Sequence, residues 1–327
     1  MEEFILSKEL QLYHHQVLAL GTKVDFWVSI EGNSSEDVRK NLQQAISVFN
    51  LVEETCSRFL EHSALRRLSQ QIGEDVQVPV LLFEVIQFSL ELAKMTHGRF
   101  DPTIGGWLEK GGFVTNYLTG NKLDLCEKID FNASYRDVKL DVEKKTVRLM
   151  KPLLLDVGAT AKGLALDLVV HCFSEYPGFC INAGGDVIAR GIQPNGEPWK
   201  ISIRNPFSPE KKIGYLLFSD AMSVCTSGGY ERLSPVIKGE HHIISGVDKQ
   251  SPHHVASATV MAPYAMLADG FSTVMMLLSP QEGFLRLEEA GIEGLLVLSD
   301  GSVQMSKKME DYWHCEKTNV FQNENNK

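Results

Sequence analysis

Asp269 and Thr273 lie four residues apart, so on a helix the carboxylate and the hydroxyl share one face. Oxygen-only donors suit a hard cation such as magnesium, which takes one or two carboxylates, keeps water and engages substrate phosphates. The plain alternative is a solvated helix charge at Asp269 and a neutral filler at Thr273. Against it, both interrupt the otherwise apolar run 268–278, where an unpaired carboxylate is costly to bury. Spacing alone leaves both readings open.

Four glycine- or hydroxyl-rich segments suggest a second kind of chemistry. Residues 98–106 (GRFDPTIGG) follow an expected helix, and residues 156–163 (DVGATAKG) open one. Helix starts expose unpaired N–H groups and attract anions. Residues 182–186 (NAGGD) break an apolar strand, as a bulge or a close backbone approach to a ligand would, and residues 226–230 (TSGGY) end another. Taken singly, each has the ordinary explanation of a turn. Neither GxGxxG nor GxxxxGK[ST] is present, so Rossmann and P-loop readings lack their specific support. Cys56, Cys126, Cys172, Cys180, Cys225 and Cys315 show no CxxC or Cys/His ligand spacing. That argues against a zinc site or a disulfide framework and for scattered buried thiols in a reducing cytoplasm.

The elements that must hold these residues follow from periodicity. Val24, Phe26, Val28 and Ile30 alternate with Lys23, Asp25 and Ser29, which predicts a half-buried strand over 23–30. Ser35 is placed to cap a helix running to about Cys56, with Glu36 and Asp37 in its first turn. A second helix is expected over 80–96 with Gly98 ending it, and a hairpin over 138–149 turning at Lys144 and Lys145. Further helices are expected over 161–173, from behind Pro263 through Leu278, and over 280–289. Strands are expected near 179–189, 199–203, 214–218, 255–261 and 295–298, whereas 111–134 reads as irregular. Strand pairs alternating with long helices, without a regular one-strand, one-helix rhythm, predict an α+β fold with antiparallel sheet.

Composition narrows the function classes. The 327 residues are 43% hydrophobic and 23% charged, which excludes a disordered chain, and 26 glycines exclude a collagen-like one. A net charge of −10 and a pI near 5.5 give no overall positive field, so nucleic acid is not an expected partner. No apolar run approaches the roughly 18–20 residues that span a bilayer. The start, Met1, Glu2, Glu3, shows neither a signal peptide nor a lipoprotein leader, so a cytoplasmic setting is expected. The length fits one large domain, or two interlocked subdomains, over 1–305, followed by a polar tail over 306–327 that frays.

Five segments in order, FDPTIGG, LDVGATAKG, INAGGDV, CTSGGYER and residues 258–278 (ATVMAPYAMLADGFSTVMMLL), resemble the ApbE family of FAD:protein FMN transferases. The resemblance runs from about Leu20 to Leu298. It implies a T-fold-like α+β architecture, with antiparallel sheets, packed helices, a central FAD cleft and a magnesium ion at the FAD diphosphate. The implied metal ligands are the Asp269 carboxylate, the Thr273 hydroxyl and the Ala161 carbonyl. The implied FAD contacts are Leu20, Phe59, Arg99, Phe100, Asp101, Gly158, Leu164 and Ile243, and the implied base is His242. The reaction the family resemblance implies cleaves FAD, moves FMN onto a Thr or Ser hydroxyl of an acceptor flavoprotein and releases AMP. An unperturbed imidazole titrates near neutrality and suits that role, although structural hydrogen bonding is the ordinary alternative for His242.

The chain departs from the family pattern at several positions. Ser245 and Gly246 stand where an aspartate and a proline usually follow HII, Ala159 replaces a usual glycine, and Gly229 follows TSG where a polar residue is common. Three readings therefore stand side by side: the transferase, an FAD diphosphatase using water as nucleophile, and an FAD-binding protein without catalysis. A redox flavoenzyme is disfavoured, because nothing resembles a nicotinamide site.

Overall fold

The computed structural model describes residues 10–32, 35–116, 120–123, 125 and 128–315. An eight-stranded sheet runs in the order β1-β2-β6-β7-β10-β11-β12-β13, with antiparallel neighbours throughout. Its strands are β1 (Leu10–Ala19), β2 (Thr22–Glu31), β6 (Gly178–Ala183), β7 (Asp186–Gly191), β10 (Met222–Gly228), β11 (Val255–Ala262), β12 (Glu293–Leu298) and β13 (Val303–Met305). A three-stranded sheet orders β14 (Trp313–His314), β9 (Ser208–Phe218) and β8 (Trp199–Asn205). A second orders β3 (Val76–Gln77), β5 (Thr146–Leu149) and β4 (Val138–Asp141). The helices are α1 (Ser35–Cys56), α2 (Ala64–Leu68), α3 (Val80–Met95), α4 (Gly105–Lys110), α5 (Gly158–Val169), α6 (Ala265–Leu277) and α7 (Pro280–Ala290).

Period-two alternation gives the large sheet two different faces. One is apolar: Val24, Phe26 and Val28 of β2 are fully buried, and Phe26 meets Phe49 of α1 edge-on at 5.9 Å. Val85 and Ile86 of α3, Leu166 of α5 and Val274 of α6 complete this core. On the other face, Val187, Ala189, Val224, Leu295 and Val297 pack against Ile201, Ile203, Leu216 and Phe218 of the small β8–β9 layer. That layer covers only part of the face. Lys23, Asp25, Asn182 and Thr226 lie beyond it, on the floor of a cleft.

Helices α5 and α6 cross tightly. A side chain at Gly163 would overlap backbone atoms of Ala265 and Met266, so only glycine lets the two axes approach this closely. Asp167 of α5 accepts hydrogen bonds from the N–H groups of Ala265 (2.6 Å) and Met266 (2.9 Å), capping α6 from another helix. Pro263 is therefore not in the first turn as expected: α6 begins at Ala265 behind Tyr264.

Other expectations also change. Residues 182–186 do break the apolar run, but as a turn and not as a bulge. Gly184 and Gly185, with φ of 67° and 103°, make the two-residue hairpin turn joining β6 to β7, with Ala183 opposite Asp186. The polar end does not fray from Ser306: a 3-10 turn over Lys307–Asp311 buries Met309, and β14 pairs with β9. Strand β1 was not expected at all. It is an edge strand whose residues are mostly exposed, so it lacks the apolar alternation that marks β2. The amino-terminal Met1, Glu2 and Glu3, the thiol Cys126 and the tail over 316–327 lie outside the described residues, as does the Ser35 side chain expected to cap α1. The other five cysteines carry no disulfide.

Candidate active site

The cleft has a volume of about 930 Å³, near the top of the roughly 300–1,000 Å³ range of small-molecule sites. Its floor is the uncovered face of the large sheet. Its walls come from the segments after α1 and α3, the start of α5, one face of α6 and residues 230–244. Phe59, Phe100, Asp101, Gly158, His242, Ile243, Asp269 and Thr273 all line it, although they come from five separate stretches of chain. A smaller adjoining cavity of about 110 Å³ is lined by Leu20 and Ala161, and shares Arg58, Phe59, Asp156, Gly158 and Lys162 with the cleft.

At the α5–α6 crossing, Asp269 is buried and receives the Gly163 N–H on Oδ2 at 3.1 Å. The Lys162 ammonium sits 3.5 Å from Asp269 and 3.0 Å from Asp186, the first residue after the β6–β7 turn. Burial pushes the Asp269 carboxyl up to about 7, with Asp186 reinforcing the shift and Lys162 opposing it. Burial alone would depress the Lys162 ammonium, but the two carboxylates outweigh it and raise its pKa. One turn on, the Thr273 hydroxyl lies 3.1 Å from that of Ser227, which in turn is 2.7 Å from Ser272.

This donor set fits a hard cation. It offers one carboxylate and neighbouring hydroxyls, all of them oxygen donors. Ala161 lies on the same helix, two residues before the glycine bonded to Asp269. Among the described residues no group of three or more His, Cys, Asp or Glu side chains is placed to hold a metal.

Next to the crossing, Arg58 is almost fully buried. Its Nε donates to Asp156 Oδ2 at 2.8 Å, its Nη2 donates to the Phe113 carbonyl at 3.0 Å, and its guanidinium lies 4.4 Å from the centre of the Phe59 ring. Burial alone would raise the Asp156 carboxyl, but Arg58 and the Gly158 N–H hold it below its ordinary value. The pair fixes the start of α5 against the segment that carries Phe59.

His242 lines the same cleft. Its Nδ1 lies 3.4 Å from the Arg232 carbonyl, which can only accept, so Nδ1 carries the proton and Nε2 keeps its lone pair. Burial, then the positive charge of Arg232, lowers its pKa to about 3. Asp101, another lining residue, has a raised pKa: burial outweighs the hydrogen bonds from Thr103 and the Tyr135 N–H. Where the resemblance leads one to expect an aspartate, the Ser245 hydroxyl instead donates to Asp248 at 2.9 Å, and Asp248 pairs with Arg99 at 3.1 Å. Gly246 donates to the Arg99 carbonyl at 2.8 Å, tying this turn to residues 98–101.

Most of the residues singled out in the sequence therefore meet around one space. Four are not in the cleft lining: Leu20 and Ala161 line only the adjoining cavity, the Arg99 side chain turns to Asp248, and Leu164 packs into the helical core. Sequence reasoning did not single out Arg58, Asp156, Lys162 or Asp186. The last three lie within glycine segments already marked, where a charged residue beside a turn was the available signal.

A family model, the ApbE family, matches residues 20–296 of this chain. The chain belongs to the ApbE family. An ApbE relative from Haemophilus influenzae, an FAD:protein FMN transferase, is 24% identical over 306 residues, covering 89% of this chain and 88% of its own. A Klebsiella pneumoniae FAD:protein FMN transferase is 23% identical, covering 84% and 82%. The crystal structure of the ApbE protein of Thermotoga maritima superposes with a TM-score of 0.79 at 27% identity, covering 92% of this chain and 99% of that one. The flavin transferase ApbE of Vibrio cholerae, 20% identical, has the same fold, with a TM-score of 0.77 over 93% of this chain and 99% of its own. The α+β architecture with antiparallel sheets is thus that of ApbE proteins.

Proposed function

We propose that this protein is a magnesium-dependent FAD:protein FMN transferase that moves FMN from FAD onto a serine or threonine hydroxyl of an acceptor flavoprotein, in the cytoplasm, and releases AMP. The observation that carries this reading is the cleft itself. Asp269, Thr273 and an uncharged imidazole together line a space of dinucleotide size. The names of the relatives, matched over most of their length, support the same activity.

Asp269, Thr273 and the Ala161 carbonyl would hold magnesium, which supplies charge neutralisation at the FAD diphosphate. The apolar rings of Phe59 and Phe100 and the start of α5 would orient the dinucleotide. The acceptor oxygen bonds to the FMN phosphorus as the bond from that phosphorus to the bridging oxygen breaks, and AMP leaves with the bridging oxygen. The hydroxyl proton passes to Nε2 of His242, which Arg232 holds in the right tautomer.

Mass spectrometry of the nucleotide and protein products, after incubation with FAD, magnesium and an acceptor, tests this. A flavin-labelled acceptor and free AMP are expected, with Asp269→Ala abolishing both. His242→Gln should slow transfer by about 10²–10⁴-fold while FAD still binds. FMN and AMP without labelled acceptor would mean that water is the nucleophile, and tight FAD binding without products would leave a binding protein.

A further inference from the structure

The second layer of the molecule is incomplete. The small sheet covers part of the large sheet's second face, and the cleft begins where that cover stops, at β8. Every residue from Lys200 to Arg204 lines the cleft. Side chains alternate across a strand, so an unbroken run means that the edge of β8, backbone included, borders the space. Among the described residues β8 pairs only with β9, and no strand lies along its other edge. Trp27 and Asn182 form the floor before it, and the same cleft extends to His242 and Thr273. None of the residues that the family resemblance assigns to FAD lies on β8 or β9.

An edge with open N–H and C=O groups accepts an extended polypeptide as an added strand. We propose that the open edge of β8 receives an extended segment of the acceptor protein, which pairs as a fourth strand and brings its serine or threonine hydroxyl along the cleft to His242. This rests on the transferase reading above. Charge selects the segment. Lys200, Ser202 and Arg204 are the exposed residues of β8, and Lys212 stands opposite Arg204 on β9. Arg204 is paired with Glu231 at 3.0 Å, and the Lys200 ammonium lies over the Tyr215 ring. In a chain of net charge −10, these cations at one border of the cleft favour acidic residues at alternate positions of the added strand.

Short synthetic peptides test the proposal, each with a central threonine and with acidic, uncharged or basic residues at alternate positions. They are incubated with the full-length protein, FAD and magnesium, and flavin attachment is read by mass spectrometry. Acidic peptides should be labelled about tenfold faster than basic ones. Backbone N-methylation should block labelling at every second residue and leave the intervening ones competent. The double variant Lys200→Glu, Lys212→Glu should reverse the acidic-to-basic ratio, which does not depend on that variant's overall activity. Labelling indifferent to charge or to the position of the methyl group overturns the proposal, as does failure to label any peptide while FAD is split to FMN and AMP. A protein that neither binds nor cleaves FAD overturns the transferase reading instead, and the docking edge falls with it.

Discussion

His242 shows how burial prepares a side chain for one role. Its pKa falls from the ordinary 6.5 to about 3, so the imidazole is neutral throughout the neutral range. Below about pH 6.5 the unfolded chain takes up a proton at this ring that the folded protein refuses. The unfolded state then binds more protons, and stability falls as the pH drops through the window between the two values. Denaturant titrations of wild type and His242→Gln across that window should show the wild type losing up to about 1.4 kcal/mol more per pH unit; parallel curves would contradict a buried neutral imidazole. At this scale the sequence was partly readable. Asp269 and Thr273 announce themselves because a helical turn is a local fact. Arg58, Lys162 and Asp186 do not, because each acquires its partner only when distant segments meet.

Among the elements, the α5–α6 crossing carries the site. Gly163 lets the helices touch, its N–H holds Asp269, and Asp167 caps α6 across the contact. Gly163→Ala should force the helices apart, cost about 1–3 kcal/mol in chemical denaturation and weaken FAD binding. A variant with an unchanged denaturation midpoint would show that the crossing tolerates a methyl group. The long helices α1 and α3 were readable from their apolar periodicity, and β2 from its alternation. The start of α6 was not: Pro263 is an attractive local signal, but the start is set by a carboxylate 98 residues earlier in the chain.

For the molecule as a whole, the carboxy-terminal stretch shows where composition misleads. Residues 306–315 are polar on average, yet Met309 is fully buried and β14 extends the small sheet beside β9. Ending the chain after Met305 should lower stability by about 2 kcal/mol or more, measured as a lower thermal or urea midpoint; an unchanged midpoint would mean that the packing is dispensable. The α+β class was readable from the rhythm of strands and helices. The partial cover over the large sheet was not, because nothing local states how far one layer overhangs another. Asp269 meets Gly163 across 106 residues, and the cleft gathers residues from Thr22 to Leu277. This chemistry is therefore not a portable module. Grafting any one of its glycine segments onto a different scaffold would carry the motif and leave the function behind, so inheritance of the activity requires inheritance of nearly the entire polypeptide.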